Sequence, residues 1–292
     1  MERKSYPTPY VFNVTAINSA LERRFGENDS HHHYSGIRRD SGGFEYPGEM
    51  HNFWEAVYVE KGKITVSEDE RIYEVGEGCV IFHAPMEFHR YRAEREDFPV
   101  SIKIFSFTLD TNIQHKLSKG LFVLDIAQKE KMAELFQMMI SKYKSGYWIE
   151  TEDASVGGAD EMWTVKMLEE FLLELCVKND PDRTQNSSMG AKRYKEVIKV
   201  LKENVHENLT IEDVSKLSHL SISYIKKLFA LYAGCGVMQY FNRLKMVKAM
   251  KYLDEGKMVG EVSDMLGFSG PNYFSVAFKK ETGVAPNVYK RK

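Results

Sequence analysis

Carboxylates and imidazoles occur close together in one short stretch of the sequence. Glu49, His51 and Glu55 lie in the segment Glu49-Met-His-Asn-Phe-Trp-Glu55, and His89 follows later in the chain. This mixture of oxygen and nitrogen donors suits iron, manganese or zinc, and it suits the hydroxyl groups of an organic molecule equally well. No nucleophile–base constellation stands out in the sequence, and no glycine-rich phosphate loop follows a strand. The residue types therefore indicate binding, or purely structural packing, rather than catalysis.

The region that carries these residues is predicted to be rich in β-structure. Runs of β-branched and aromatic residues, separated by short polar or glycine-containing breaks, extend over about 46–108. The predicted strands are 55–60, 63–67, 71–75, 79–83, 88–93 and 100–107. Closely spaced strands of this kind predict an antiparallel barrel or sandwich. Closure into a barrel would protect the sheet edges from pairing with other chains.

Two amphipathic helices are predicted after the strands. Apolar residues recur at intervals of three and four over about 129–143 and again over 161–178, where the stripe includes Leu168 and Leu172. Such helices either cover the barrel or pair with another subunit. Because these stripes are too apolar for free helices, we expect them to supply much of a homodimer interface.

The C-terminal part is predicted to be helical throughout, and it contains a repeat with an offset of 49 residues. Leu217, Tyr224, Phe229 and Gly234 align with Leu266, Tyr273, Phe278 and Gly283. Each unit consists of a short helix, a tight turn and a longer helix that ends before a glycine, where a left-handed residue is tolerated. Thr210 and Asp213 have the spacing of a capping box. The pattern is that of a helix-turn-helix, whose second helix can enter the DNA major groove.

The second helix of each unit has one apolar and one exposed face when residues are drawn about 100° apart. In the earlier unit the buried face is Ile225, Leu228 and Phe229, and the exposed stripe is Ser223, Lys226, Lys227 and Ala230. In the later unit the buried face is Tyr273, Phe274, Ala277 and Phe278, and the exposed stripe is Asn272, Ser275, Val276 and Lys279. Tyr273 is also counted among the candidates for DNA contact. The DNA-binding candidates are Ser223, Lys226, Lys227, Asn272, Tyr273, Ser275 and Lys279.

A family resemblance covers about 195–292. Its motifs are Gly267-Phe268, Tyr273-Phe274, Phe278-Lys279, Gly283 and Ala285-Pro286. This arrangement resembles the AraC family of transcription regulators, and the resemblance implies two helix-turn-helix units that read operator DNA. The sequence has Val276 where members of that family often carry a base-reading arginine. We therefore expect weak guanine readout by the second unit.

The N-terminal region resembles the two cupin motifs, which implies a small double-stranded barrel with an internal cavity. The matching residues are Glu49, His51, Glu55, Gly62, Gly78, Pro85 and His89. In metal cupins such positions hold a divalent cation, whereas AraC-type cupins generally hold a small organic effector. We expect an organic, sugar-like effector here, with no required metal and no other cofactor. The effector-binding candidates are Glu49, His51, Trp54, Glu55, Tyr58 and His89, although the two aromatic residues also suit barrel packing.

Charge is distributed unevenly along the chain. From Gly190 onward 18 Lys and Arg residues stand against 10 Asp and Glu residues, a net charge of +8; the preceding residues have 22 against 32, a net charge of −10. A basic C-terminal part suggests an anionic partner such as DNA. Three cysteines spaced far apart indicate no disulfide framework. The lack of a long apolar run or a secretion leader predicts a cytoplasmic protein without a membrane partner.

These observations predict an α+β protein with two domains, an N-terminal cupin-like β-barrel with helices and a C-terminal all-α double helix-turn-helix. The predicted boundaries are 1–180 for the first domain, 181–191 for a linker and 192–292 for the DNA-binding domain. The predicted function is a homodimeric transcription regulator, not an enzyme, that binds double-stranded operator DNA and a small-molecule effector. An activator would also contact RNA polymerase. The alternatives are a metal-dependent cupin enzyme fused to a DNA-binding domain and a constitutive DNA-binding protein.

Overall fold

The computed structural model describes residues 11–25, 43–46, 48–51, 53–112, 115–142, 158–184 and 188–290. The chain divides into two compact units, one comprising Met1–Val66 with Tyr73–Gln185 and the other Ser67–Ile72 with Asn186–Lys292. The first is rich in β-strands and the second is helical. The predicted α+β class, with a β-rich N-terminal part and a helical C-terminal part, is confirmed.

The β-strands form two antiparallel sheets. Their bounds are β1 Phe12–Phe25, β2 Phe44–Glu45, β3 Trp54–Lys61, β4 Lys63–Glu68, β5 Arg71–Gly76, β6 Cys79–His83, β7 His89–Ala93, β8 Val100–Thr111 and β9 Leu121–Val123. One sheet has the order β1-β8-β3-β6-β9 and the other the order β2-β7-β4-β5. All six predicted strands are confirmed. The long strand β1 escaped prediction because its Asn, Ser, Ala and Glu residues have low β propensity, and pairing with β8 along its whole length holds it in the sheet.

Apolar side chains fill the space between the two sheets. Val57 and Val59 of β3 pack there with Ile64 of β4, Val75 of β5 and Ile102 of β8. Side chains alternate between the two faces of a strand, so the neighbouring residues of β3 and β8 point to the other side of the five-stranded sheet. The interior between the sheets is therefore separate from the apolar layer on the outer face.

Two helices cover the outer face of the five-stranded sheet, α1 at Ile126–Lys142 and α2 at Ala159–Lys178. Leu168 and Leu172 of α2 are fully buried there, in one cluster with Phe136 of α1 and Phe105 of β8. The predicted homodimer interface on this stripe is therefore wrong, because the stripe packs within the chain. Of the two alternatives for these helices, covering the barrel is the one observed.

The C-terminal unit consists of helices that range from 4 to 18 residues in length. Their bounds are α3 Met189–Glu203, α4 Ile211–Ser218, α5 Ile222–Tyr232, α6 Val237–Asp254, α7 Val259–Met265, α8 Pro271–Thr282 and α9 Pro286–Tyr289. Two elements extend into the predicted linker 181–191, because Asp182 pairs with Leu121 and α3 begins at Met189. Within the described part of the chain, none of the three cysteines forms a disulfide bond. Within the described part of the chain, no helix is long and apolar enough to cross a membrane.

The 49-residue repeat holds for the second helices but not for the first. Phe229 of α5 and Phe278 of α8 are both buried, as the repeat predicts. Leu217 is 48% exposed, whereas Leu266 is fully buried, so their predicted equivalence is wrong. The connection from α7 to α8 is longer than the one from α4 to α5, which shifts the alignment of the first helices.

Candidate functional site

The strand arrangement brings the four predicted polar residues together. Glu55 lies on the inner face of β3, and His89 begins β7 of the opposite sheet. Glu49 is fixed beside His89 by two backbone hydrogen bonds, with N–O distances of 2.9 and 3.1 Å. His51 lies between Glu49 and β3. One ligand atom from each of these four residues falls within 4.8 Å of the others.

Glu55 is at the centre of the cluster. Its carboxylate oxygens lie 3.7 Å from His51 Nε2 and 3.2 Å from His89 Nε2. His89 Nε2 also lies 3.7 Å from Glu49 Oε1. Burial alone would raise the pKa of Glu55, but the two imidazoles outweigh it and hold the pKa of this carboxyl well below its ordinary value.

The two imidazoles are held by the backbone. His51 Nδ1 lies 2.9 Å from the carbonyl oxygen of Phe53, and His89 Nδ1 lies 3.1 Å from that of Glu87. Each Nδ1–H therefore donates to a carbonyl, and each Nε2 is directed at the carboxylates. Burial alone would lower the pKa of His89, but hydrogen bonding and charge from Glu49 and Glu55 raise it to about 9.

Tyr46 and His83, which the sequence did not indicate, also contact the cluster. The Tyr46 hydroxyl donates to Glu49 Oε2 at 2.9 Å. The His83 ring stacks on His89 with centroids 4.0 Å apart, and burial holds the pKa of His83 well below its ordinary value. Only their positions in the sequence could have indicated these two residues. Tyr46 precedes Glu49 by three residues, and His83 is the last residue of the predicted strand 79–83.

Trp54 and Tyr58 do not line the polar cluster. Both lie on β3 beside Glu55 in sequence, but they belong with Ala56 to the apolar layer under α1 and α2. Their inclusion with Glu55 as effector contacts is therefore wrong, because alternate residues of a strand point to opposite faces. The alternative interpretation, that these aromatic residues pack the barrel, is the observed one.

Helix α5 presents a basic face to solvent. The predicted capping box at the start of α4 is present, with hydrogen bonds of 3.0 and 3.2 Å between Thr210 and Asp213. The hydroxyl of Ser221 caps α5. The buried face of α5 contains the predicted Ile225, Leu228 and Phe229, and also Tyr232. The exposed residues include Ser223, Lys226 and Lys227, as predicted.

Helix α8 has a narrower buried face than the sequence predicted. Phe274 and Phe278 are fully buried, whereas Tyr273 is 64% exposed and does not belong to the buried face. Phe274 and Phe278 lie four residues apart and therefore on the same face of α8. Tyr273 lies about 100° around the helix axis from Phe274, which directs its side chain away from that face. Asn272 and Lys279 are exposed. Ser275 is half-buried, and its hydroxyl donates to the carbonyl of Pro271 at 2.7 Å.

The turn between α7 and α8 requires glycine. Gly267 has a φ of +67°, and a Cβ at this position would lie 2.6 Å from the carbonyl oxygen of His206. The Nζ atom of Lys245 donates to the carbonyl of Leu266 at 2.6 Å, which ties the turn to α6. The predicted left-handed glycines after α5 and α8 are present at Gly234 and Gly283.

Comparisons with known proteins agree with this organisation. Residues 31–153 match the AraC-like ligand binding domain, and residues 214–292 match a helix-turn-helix domain. The HTH-type transcriptional regulator YidL of Escherichia coli is 26% identical over 241 residues, covering 81% of this chain and 74% of YidL. The Msm operon regulatory protein of Streptococcus mutans is 22% identical over 233 residues, covering 79% of this chain and 81% of its own.

A solved structure with similar length is that of ToxT from Vibrio cholerae. The two sequences are 13% identical, and the match covers 94% of this chain and 96% of the ToxT chain, with a TM-score of 0.37.

Proposed function

The chain belongs to the AraC family of transcription regulators, with an N-terminal ligand-binding domain and a C-terminal helix-turn-helix region, and from this premise we propose which residues bind DNA and effector. Operator DNA is read by α5 and α8. The observation that supports this assignment is the exposed polar face that each helix carries opposite a buried apolar face. The proposed DNA contacts are Ser223, Lys226, Lys227, Asn272, Tyr273, Ser275 and Lys279.

The effector binds in the N-terminal domain at the polar cluster of Glu49, His51, Glu55 and His89. This assignment is supported by the convergence of four hydrogen-bonding side chains from both sheets in largely buried surroundings. Such groups suit a polar, sugar-like molecule. The proposed role of the site is binding, and we assign no catalytic step to it.

Effector binding controls transcription by shifting the population between arrangements of the DNA-binding regions. This requires unequal effector affinity for those arrangements. A homodimer would present two such regions to the operator, and an activator of this kind would contact RNA polymerase. We place the protein in the cytoplasm, because its operator DNA is there.

The test of DNA readout uses the full-length protein with Lys226→Ala and Lys227→Ala. A variant that lacks one phosphate contact releases fewer counterions when it binds DNA. We therefore expect lower operator affinity, and a slope of log affinity against log salt concentration that is smaller in magnitude by about 1. Fluorescence anisotropy on operator and scrambled duplexes across a salt series measures both quantities. Lys251→Ala is the control, because Lys251 is an exposed lysine on α6. If the two α5 variants bind like the parent, α5 does not face DNA.

A further inference from the structure

We propose that Lys245 is a positioning residue, which holds the second helix-turn-helix at a fixed place relative to the first and thereby sets the spacing between the two halves of the operator. The first helix-turn-helix is α4 with α5, and the second is α7 with α8. Lys245 lies on α6, the helix that joins them, and is only 3% exposed. The inference rests on the proposed reading of DNA by α5 and α8 and extends it to a residue that need not touch DNA.

The ammonium group of Lys245 connects three segments of the C-terminal unit. Its Nζ atom donates to the carbonyl of Glu207, between α3 and α4, and to that of Leu266, at the end of α7, with both N–O distances at 2.6 Å. The ring centroids of Phe241 on α6 and Phe268 before α8 lie 5.0 and 5.2 Å from Nζ, which is within the range of a cation–π contact. One side chain therefore joins the segment that leads into the first helix-turn-helix to the turn of the second.

A second link joins the same two segments directly. His206 Nδ1 donates to the carbonyl oxygen of Met265 at 2.8 Å. The carbonyl oxygen of His206 approaches Gly267 so closely that a Cβ at that position would lie 2.6 Å from it. Packing as close as this leaves the turn little freedom to move against residues 206–207.

A buried ammonium group is a costly way to fill the position of Lys245. Its contacts are two carbonyls and two aromatic faces, and burial lowers the pKa of Lys245. An apolar side chain of similar length would fill the same space without removing a charge from water. The ammonium group adds direction, because a hydrogen bond to a carbonyl constrains distance and angle, whereas apolar packing is non-directional. Lys245 therefore contributes more to where the turn lies than to how tightly the helices pack.

The place of this turn decides where α8 meets DNA, because α8 begins at Pro271, shortly after Gly267. Successive major-groove faces lie about 34 Å apart, and one additional base pair moves the second half of a site by about 3.4 Å and turns it by about 35°. A second helix-turn-helix that is fixed relative to the first cannot follow such a displacement. One that is loosely attached can follow it.

The test measures tolerance to the spacing of the two operator halves. An operator is selected from randomised duplexes with the full-length parent, and a longer version carries one additional base pair between its halves. Fluorescence anisotropy gives the affinity of the parent and of Lys245→Met, whose side chain has similar length and no charge. We expect the parent to bind the longer operator at least about tenfold more weakly, because α8 loses base contacts. Lys245→Met should bind the two operators within about threefold of each other, and the original one more weakly than the parent does, because its second helix-turn-helix is no longer held in place for binding.

Lys251→Met is the matched control, because Lys251 is an exposed lysine on the same helix, and it should discriminate like the parent. His206→Ala removes the second link at an exposed position. It should show a smaller penalty for the additional base pair than the parent, and it replaces Lys245→Met if that variant lacks a cooperative thermal transition. An operator with a scrambled second half verifies that α8 still reads DNA. Lys245→Met should bind it more weakly than the intact operator.

A folded Lys245→Met, or His206→Ala in its place, that penalises the additional base pair as strongly as the parent would overturn the inference. A parent that itself tolerates the additional base pair would overturn it equally. The same holds if Lys245→Met no longer distinguishes an intact second half from a scrambled one, because Lys245 would then be needed to fold the second helix-turn-helix rather than to place it. A parent that binds the selected operator and a fully scrambled duplex alike contradicts the proposed function instead.

Discussion

In the proposed complex with DNA, the exposed Val276 would lie beside the proposed contacts of α8 and limit which bases this helix recognises. Its side chain is 69% exposed at the middle of α8. A branched apolar group in the major groove contacts the methyl group of thymine rather than a hydrogen-bonding base edge. We therefore expect the second half of the operator to contain a thymine opposite Val276. Replacing that thymine by deoxyuridine should weaken binding about fourfold, since one buried methyl group contributes about 0.8 kcal/mol.

The measurement is a competition assay with uracil-substituted operators for the parent and for Val276→Ala. The variant should lose affinity for the thymine operator and become insensitive to the substitution. Val288→Ala, at another exposed valine outside α8, should remain as sensitive as the parent. Equal sensitivity of Val276→Ala and the parent would contradict the contact.

At the residue scale, the sequence predicts the polar cluster better than its aromatic neighbours. Glu49, His51, Glu55 and His89 were identified together and lie together. Trp54 and Tyr58 were assigned by proximity in sequence, whereas the alternation of β3 places them on the other face from Glu55. The contact of His83 with His89 joins residues from different sheets, so no local pattern predicts it.

At the scale of elements, α2 is part of the core of the N-terminal unit. Leu172 is fully buried, whereas Val177 on the same helix is 80% exposed. We expect Leu172→Ala to lower the free energy of unfolding by about 2–5 kcal/mol, because it leaves a cavity under the helix. Val177→Ala is the control and should change it by less than about 0.5 kcal/mol. Urea unfolding followed by circular dichroism measures both, and equal stability of the two variants would place α2 outside the core.

Helices and strands with strong hydrophobic periodicity were predicted correctly. Prediction failed where the packing partner in the folded chain determines the structure. The stripes of α1 and α2 and the alternation of the central strands were sufficient to locate them. The apolar stripe of α2 did not reveal its partner, because a sheet face and a second subunit demand the same pattern. The short strand β2 and the three residues of β9 carry too little pattern to be found.

At the scale of the whole molecule, the acidic N-terminal part should restrain non-specific DNA binding. Residues 190–292 carry a net charge of +8, and the complete chain carries −2. We expect a fragment of residues 188–292 to bind a scrambled duplex more tightly than the full-length protein at about 0.05 M salt. The difference should shrink as salt rises above about 0.15 M, where the Debye length is about 8 Å.

Anisotropy titrations at several salt concentrations test this expectation, with a cooperative thermal transition as the sign that the fragment is folded. The charge asymmetry itself was visible in the sequence. A difference between fragment and full-length protein that does not change with salt would show that charge is not its cause.

The two faces of strand β3 contribute to different parts of the N-terminal unit, one to the space between the sheets and the other to the apolar layer under α1 and α2. Glu55 faces the polar cluster, and the adjacent Trp54 faces the helix-covered layer, so the two side chains are joined by a single peptide unit. Such a unit is nearly rigid. A ligand that shifted β3 would therefore also shift Trp54 and Tyr58 against α1 and α2.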